Sequence, residues 1–266
     1  MKKIITILTI ILVFIVSLYI GFKYINYDLK IVFFDVLKAD SILITYKNTN
    51  ILIDTGLEET STTIIDYLNK KNIKKIDYVI LTHYDKDHIG GIPLLAQNID
   101  IGLIIQNSYI KESKYYDKYI SSTQNINKNT VIEDYKIEID DLKMNIMPSY
   151  IEYSKDTSNN SSLIISLEYK NNSFLFASDI KEDRINDYIK TNNKEYDLLK
   201  LPHHGKYNES IISLLNNVKP KYGIITNNNY DLDTIDILNK KNIKYYITDK
   251  KVLLESDGNN IKIKYY

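Results

Sequence analysis

The histidines of this 266-residue chain are the feature that most restricts its fold. There are only four, and they form two short clusters, His83 with His88 and His203 with His204. Histidines with unrelated structural roles would be scattered along the chain. The grouping therefore indicates one site, and the fold must bring together two segments that are distant in sequence.

The first cluster has the composition of a divalent-metal site. Between positions 83 and 88 it places two imidazoles and the carboxylates of Asp85 and Asp87, which are donors that zinc, manganese and iron accept. Gly90 and Gly91 follow and permit a tight backbone turn. The alternative is a solvated polar loop that contains two histidines by chance, and the second cluster argues against it.

The second cluster, Pro202-His203-His204-Gly205, is weak evidence alone, because a His-His pair commonly fills a surface or core position. Its significance comes from the first cluster. Asp179, at the end of a predicted strand, is a candidate further carboxylate ligand. Its alternative role is the N-cap of a predicted helix over residues 181–189.

Composition excludes several other kinds of site. The chain has no cysteine, so disulfides, thiolate ligands and a cysteine nucleophile are excluded. It has 34 basic and 34 acidic side chains, and this zero net charge does not predict a broad nucleic-acid surface. A local basic groove is still compatible with it, and the candidate side chains for one are Lys111, Lys114, Lys118, Lys128 and Lys206.

The first residues predict a membrane anchor. Two lysines precede an apolar run without charge, Ile4–Ile20, which is at the short end of what spans a bilayer. A cleaved signal peptide is the alternative, but no small-residue cleavage site follows the run. We therefore expect an uncleaved single-pass anchor in residues 1–27, with a domain at residues 28–266 outside the cytoplasm.

The body alternates between predicted strands and helices. Residues 76–81 and 198–201 are apolar strand-like runs, and each is followed directly by one histidine cluster. Strand-rich segments open and close the body and each half carries helices. This pattern predicts an α/β fold, a four-layer αββα sandwich of two mixed sheets with helices outside. Loops after strands present side chains from a rigid scaffold, which suits both clusters.

The segment His83-x-Asp85-x-Asp87-His88 resembles the first motif of metallo-β-lactamase-fold hydrolases, which is usually His-x-His-x-Asp-His. The aspartate in place of the second histidine is similar to the ComEC-like subfamily, the extracellular domain of a competence DNA-uptake protein and its free-standing relatives. Further segments resemble this subfamily in chain order: Asp35-Val36 with Asp40-Ser41, Ile51–Gly56, Asn160–Leu163, Ser178-Asp179, Leu199–Gly205 and Tyr246–Asp249. The resemblance covers residues 30–266.

The resemblance implies a centre of two divalent metal ions, zinc or manganese. The implied ligands share positions in loops that follow strands, and they are His83, Asp85, Asp87, His88, Asp179, His203 and His204. The second ion would take Asp87, His88 and one of the two neighbouring histidines. Asp179 would bridge the two ions.

The first metal position departs from the family pattern. It keeps His83 and Asp85, but the histidine that the family normally adds is missing, and Asn160 or Ser161 stands in roughly that region. We expect this position to be weak, completed by water, or filled only with substrate present. The resemblance also implies that Asp54 braces the metal loop from behind the ligands.

The resemblance further implies hydrolysis. Divalent metal ions lower the pKa of bound water from about 15.7 to about 7 and so provide hydroxide at neutral pH. Asp87 would orient this nucleophile or take its proton. The subfamily points to phosphodiesters, so the expected substrate is DNA, a nucleotide or a cell-envelope polymer.

Two alternatives stay open. Leu37, Ala39 and Lys206 replace residues of the family pattern near the expected substrate position, as they would in a non-catalytic, metal-stabilised surface binding domain. A hydrolase of another ester or of a lactam is the second alternative. Asp85 departs from the ligand set of the common β-lactam hydrolases, which argues against a β-lactam substrate.

Overall fold

The computed structural model describes residues 6–7, 10–15 and 27–266. The anchor predicted for residues 1–27 therefore lies largely outside the described residues. Among the residues that are described, no helix is both long enough and apolar enough to cross a membrane.

Residues 27–266 contain fifteen strands. In chain order they are β1 (Leu29–Phe33), β2 (Ile42–Tyr46), β3 (Thr49–Ile53), β4 (Lys75–Leu81), β5 (Asp100–Asn107), β6 (Lys128–Val131), β7 (Tyr135–Ile139), β8 (Leu142–Met147), β9 (Ile164–Tyr169), β10 (Asn172–Phe176), β11 (Leu198–Lys200), β12 (Tyr222–Ile225), β13 (Lys244–Ile247), β14 (Val252–Ser256) and β15 (Ile261–Tyr265).

The helices lie between these strands. They are α1 (Ser61–Lys70), α2 (Lys86–Ile89), α3 (Ile92–Asn98), α4 (Lys114–Ser122), α5 (Thr157–Asn160), α6 (Glu182–Thr191), α7 (Ser210–Val218) and α8 (Leu232–Lys240), with short 3-10 turns at Glu58–Thr60 and Pro202–Gly205.

The strands form two mixed sheets. The first has the order β15-β14-β1-β2-β3-β4-β5-β6, and the second has the order β13-β12-β11-β10-β9-β8-β7. In the first sheet β3, β4, β5 and β6 run parallel. In the second, β10, β11, β12 and β13 run parallel. Each sheet therefore presents a set of strand carboxyl ends at one edge.

Side-chain alternation explains the layering. In β1, Ile31 and Phe33 face the other sheet, where Phe33 meets Phe176 with ring centroids 6.3 Å apart. Val32 points the opposite way and packs with residues of the helices on the outer face, such as Leu68 of α1, because successive strand side chains alternate between faces. Both faces are buried, which is why strands such as β4 are nearly continuous apolar runs.

Helices cover both outer faces. Residues of α1, α3 and α4 share a core with the first sheet, and residues of α6, α7 and α8 share a core with the second. The four-layer αββα arrangement predicted from the sequence is therefore confirmed.

The functional loops meet because of this topology. The Asp54 position follows β3, the first histidine cluster follows β4, Asp179 follows β10 and the second histidine cluster follows β11. Carboxyl ends of parallel strands are the usual location of ligand sites in such sheets. The two distant clusters are thus brought to one place, as the sequence requires.

Glycines let the first metal loop pack closely. A Cβ atom on Gly91 would lie 2.2 Å from the carbonyl oxygen of Thr55, and one on Gly90 would lie 2.5 Å from the backbone nitrogen of Glu58. The Thr55 amide donates to the His88 carbonyl at 2.7 Å. The two loops therefore touch backbone to backbone, which only glycine allows at these positions.

Candidate metal centre

Asp54 holds the loop after β4 from behind. Its buried carboxylate accepts hydrogen bonds from the Thr82 amide at 2.8 Å and from the Thr82 hydroxyl at 2.7 Å. The same carboxylate lies 2.7 Å from His88 Nδ1. Because an ionised carboxylate can only accept, His88 carries a proton on Nδ1, and Nε2 is the atom whose lone pair a metal ion would take.

The tautomer of His83 follows from the same network. The Thr82 hydroxyl gives its one proton to Asp54, and its oxygen accepts from the Ser178 hydroxyl at 2.7 Å. His83 Nδ1, 3.1 Å from this oxygen, must therefore be a donor. Burial lowers the pKa of His83 to about 3, so the ring is neutral at pH 7 with its lone pair on Nε2.

His204 is oriented in the same way from the other cluster. Its Nδ1 lies 3.2 Å from the carboxylate of Asp40 and 3.2 Å from the hydroxyl of Thr226. The side chain is fully buried. Asp40 therefore accepts from Nδ1 of His204, as Asp54 does from Nδ1 of His88, and this contact turns Nε2 of His204 inward.

The inward-facing atoms converge, but none of them makes a hydrogen bond to a described residue. Within the described residues, Nε2 of His83, His88 and His204 and Oδ1 of Asp179 are buried and make no hydrogen bond. His88 Nε2 lies 3.4 Å from Asp179, and His204 Nε2 lies 3.1 Å from Asp179 and 3.3 Å from Asp87. Neighbouring ligands around a tetrahedral zinc ion are about 3.4 Å apart, so these donors fit a divalent cation.

The protonation of the metal-free site reflects its crowded carboxylates. Burial opposes charge on His88, but Asp179 and Asp54 raise its pKa well above the ordinary value. Burial likewise acts against Asp179, yet His204 and His88 hold the pKa of its carboxyl well below the ordinary value. A metal ion would take the place of the imidazole protons that these carboxylates stabilise.

Lys200 is a site residue that the sequence analysis missed. Its side chain is fully buried at the end of β11, contacts the carboxylate of Asp40 and donates to the Ser178 carbonyl at 3.0 Å. Its Nζ lies 3.7 Å from Asp179. A lysine inside the apolar run at residues 198–201 was the available signal, because buried lysines almost always have partners.

The structure distinguishes the two neighbouring histidines. His203 and His204 have φ values of 48° and 56° and precede Gly205 at 79°, so the turn points the two rings in different directions. His203 lines a cleft of 380 Å³ with Lys181 and Lys206, while His204 reaches Asp179. His204 is therefore the ligand candidate of the pair.

Asp179 is not a helix cap, so that alternative was wrong. Helix α6 begins at Glu182, and Lys181 holds the N-cap position without a side-chain hydrogen bond. Asp179 instead lies between His88 and His204, where a bridging or shared ligand would lie. Asp87 is the more accessible carboxylate, with 22% of its side chain exposed.

The first metal position, at His83 and Asp85, differs from the position at His88 and His204 because a lysine contacts its carboxylate. Lys111 Nζ lies 2.7 and 2.8 Å from the two carboxylate oxygens of Asp85, and the Ser158 hydroxyl donates to one of them. His83 Nε2 is 4.0 Å from that same carboxylate. The donors expected for the first ion are therefore present, but the carboxylate is already bound by a side-chain cation.

Asn160 and Ser161 do not replace the missing histidine. The Asn160 amide donates to the Lys155 carbonyl at 3.0 Å and accepts from the Lys181 amide at 2.9 Å. The Ser161 carbonyl accepts from the Asn107 amide group at 2.7 Å. Both residues brace the surrounding loops, and Ser158 is the residue of this segment that contacts Asp85.

Comparison with known proteins agrees with this geometry. Residues 34–226 match the model of the Metallo-beta-lactamase superfamily. The chain is 27% identical over 199 residues to ComE operon protein 3 of Bacillus subtilis (strain 168), a match that covers 70% of this chain. It covers only 25% of that relative, so the chain spans about a quarter of the relative's length. This match supports the ComEC-like resemblance.

Solved structures share the fold. The metallo-β-lactamase fold protein YhfI from Bacillus subtilis superposes with a TM-score of 0.58 at 11% identity, covering 86% of this chain and 100% of YhfI. Zn(2+)-bound PqqB from Methylobacterium extorquens superposes with a TM-score of 0.54 at 12% identity, covering 80% and 86%. With two sheets between helices, converging histidines and the match over residues 34–226, the chain belongs to the metallo-β-lactamase superfamily.

Proposed function

We propose that this chain is a metal-dependent hydrolase that cleaves phosphodiester bonds outside the cytoplasm. The observation that carries the proposal is the convergence of His88, His204 and Asp179. Their inward atoms are buried without a hydrogen bond within the described residues and face one another at 3.1 to 3.4 Å, so a bound divalent ion would give each donor atom a partner. A divalent ion there would polarise a phosphoryl oxygen and acidify a water molecule.

The protein side chains have separable roles around that ion. His88, His204 and Asp179 hold it, and Asp54 and Asp40 fix the imidazole tautomers. Asp87, whose side chain is partly exposed, is placed to orient the attacking water and accept its proton. Burial raises the pKa of the Asp87 carboxyl, but His204 and His88 outweigh it and lower that pKa below the ordinary value, so Asp87 is an ionised acceptor at neutral pH.

Local charge supports an anionic substrate although the net charge is zero. Lys206 lines two clefts beside the centre, one shared with His203 and one shared with Lys38. A separate cleft of 560 Å³ is lined by Tyr109 and Tyr150 among other residues. Lysines that bind phosphate and aromatic rings that stack on bases are the elements of nucleic-acid binding surfaces.

A purified, metal-loaded sample tests the proposal. We expect turnover of bis-p-nitrophenyl phosphate or of DNA with zinc or manganese, and loss of both metal and turnover in His88→Ala. The Lys219→Ala variant, which alters an exposed lysine paired with Glu195, is the matched control and should behave as wild type. Bound metal without turnover on any phosphodiester would contradict the proposal.

A second candidate is a non-catalytic, metal-stabilised binding domain, and hydrolysis of another ester or of a lactam is a third. Leu37 favours the binding-domain candidate. It is 43% exposed and has a φ of 64°, which is an unusual backbone conformation for a bulky residue. Metal binding with retained DNA affinity and no hydrolysis would favour it.

The proposed location rests on the first residues. The uncharged run Ile4–Ile20 behind two lysines supports a single-pass anchor that holds the catalytic domain at the outer face of the membrane. DNA, a nucleotide or a cell-envelope phosphodiester would then be the accessible substrates. Fractionation of cells followed by protease treatment of intact cells tests this: the body should be in the membrane fraction and be digested from outside.

A further inference from the structure

We infer that the ammonium group of Lys111 occupies the first metal position, so that this chain binds one metal ion where its superfamily resemblance implies two. The inference concerns the number of ions at the proposed centre and rests on that centre, not on its substrate.

The carboxylate of Asp85 is the first observation. Lys111 Nζ lies 2.7 Å from Oδ1 and 2.8 Å from Oδ2, so it grips both oxygens. The Ser158 hydroxyl donates to Oδ1 at 2.5 Å. Oδ1 is also the oxygen that lies 4.0 Å from His83 Nε2. Both lone pairs of the oxygen nearest the histidine are therefore taken by protein donors.

The remaining donors are too few for a second ion. Without Asp85, the first position has His83 Nε2 and a share of Asp179. Asp179 already lies 3.4 Å from His88 and 3.1 Å from His204, which is the geometry of the other position. Zinc takes four ligands, usually at least three from protein. One imidazole and one shared carboxylate do not meet that requirement.

Charge leads to the same conclusion. The ammonium of Lys111 pairs with Asp85 at 2.7 Å and so offsets the negative charge of that carboxylate. The first position therefore loses the charge that Asp85 would offer a second divalent ion. An ion bound to Asp85 would also lie close to the ammonium, and like charges at such distances repel strongly in a partly buried site.

The position of Lys111 explains how it reaches the site. It lies in the loop between β5 and α4, with 42% of its side chain exposed, and Asp85 is 24% exposed. The lysine approaches from solvent and ends at the carboxylate. Truncating this partly exposed side chain should leave the fold intact, so it is a suitable test residue.

Metal counting tests the inference. The whole chain would be stripped with a chelator, loaded with excess zinc or manganese, desalted, and analysed by elemental analysis and native mass spectrometry. We expect about one ion per wild-type chain. Lys111→Ala should bind a second ion, because Asp85, His83 and Asp179 then become free to share one.

Two variants serve as controls. Lys118→Ala removes a lysine of the same region whose Nζ pairs with Glu58 at 2.7 Å, and it should stay at one ion. His83→Ala should also keep its single ion, whereas His88→Ala should lose it. Two tightly bound ions in the wild type, or one ion in Lys111→Ala at every metal concentration, would overturn the inference.

The same samples separate this inference from the proposed function. One ion per chain with no phosphodiester turnover supports the inference and contradicts the hydrolase proposal. Two ions per chain with phosphodiester turnover support the hydrolase proposal and contradict the inference. A chain that binds no metal at all overturns both.

Discussion

At the residue scale, three imidazole rings are oriented by contacts to their Nδ1 atoms. Asp54 fixes His88 and Asp40 fixes His204 through their Nδ1 atoms, while Thr82 fixes His83. Such supporting partners hold the ligand ring and its tautomer in place before a metal arrives. Substitution of the supporting carboxylates should therefore affect metal binding, as substitution of the ligands should.

Removing the acceptor behind one ligand should weaken metal binding. In Asp54→Asn the amide no longer fixes the His88 tautomer, so we expect zinc affinity to fall about tenfold to a hundredfold. Competition with a chromogenic chelator measures it. The surface variant Asp140→Asn, which alters an exposed pair with Lys47, should bind zinc like wild type. Equal affinities in all three proteins would show that Asp54 does not orient the ligand.

The buried pair of Lys200 and Asp40 should matter for stability. Lys200→Met leaves the buried Asp40 carboxylate with His204 as its remaining charged partner, and breaking a buried pair in this way costs roughly 3–5 kcal/mol. Urea unfolding of the metal-free protein measures the loss. Adding Asp40→Asn should recover part of it, because both charges are then removed. A loss below about 1 kcal/mol in the single variant is incompatible with this view.

The metal-free protein should lose stability at high pH. Burial acts to lower the pKa of His204, but Asp179 and Asp40 outweigh it and raise that pKa to about 10. Since the folded pKa exceeds the unfolded value of about 6.5, this contribution is fully present below pH 6.5 or so and is lost as pH rises through about 10. We expect the thermal midpoint of the chelated protein to fall between pH 7 and 10, and to fall less in His204→Gln. An unchanged or rising wild-type midpoint would contradict the assignment.

At the element scale, the site depends on loops that follow strands and on the glycines that let them touch. The strand and helix pattern, the two loops with histidines and the layer order could all be predicted from the sequence, because periodicity and turn residues are local signals. The contact of Lys111 and Ser158 with Asp85 could not. These residues are far apart in the chain, and only the folded loops bring them together.

A glycine substitution tests the loop packing. In Gly91→Ala the new Cβ would lie 2.2 Å from the Thr55 carbonyl, so the metal loop must move, and we expect roughly 1–3 kcal/mol of destabilisation together with weaker zinc binding. Gly102 lies in β5, and Gly102→Ala places a Cβ 2.7 Å from the Asp77 carbonyl of β4, away from the centre. It should be destabilised with normal zinc affinity. If both variants lost affinity equally, the effect would be general instability.

At the scale of the whole molecule, basic and acidic side chains are equal in number but are unevenly distributed over the surface. Lys206 and Lys38 gather beside the centre around clefts that also hold Asn227 and Tyr230. The composition alone could not show this, because a zero net charge hides local patches. The match over 199 residues covers only about a quarter of the relative, so the role of that longer protein is not carried over to this chain.

A lysine beside the centre should act on substrate and not on metal. For Lys206→Ala we expect KM for an anionic phosphodiester to rise about tenfold, the effect of losing one charged hydrogen bond, with unchanged metal content. The effect should shrink at high salt, since exposed charges are screened. A normal KM would remove Lys206 from the substrate surface.

The central claim is that His88 and His204 hold one metal ion with Asp179. The most direct test is a crystal structure of the zinc-loaded protein with anomalous diffraction measured at the zinc edge. We predict one peak within about 2.0–2.2 Å of Nε2 of both histidines, with Lys111 still at Asp85 and no second peak beside His83. The claim would be contradicted by zinc that avoids these two nitrogens, or by their Nε2 atoms facing each other with no ion between them.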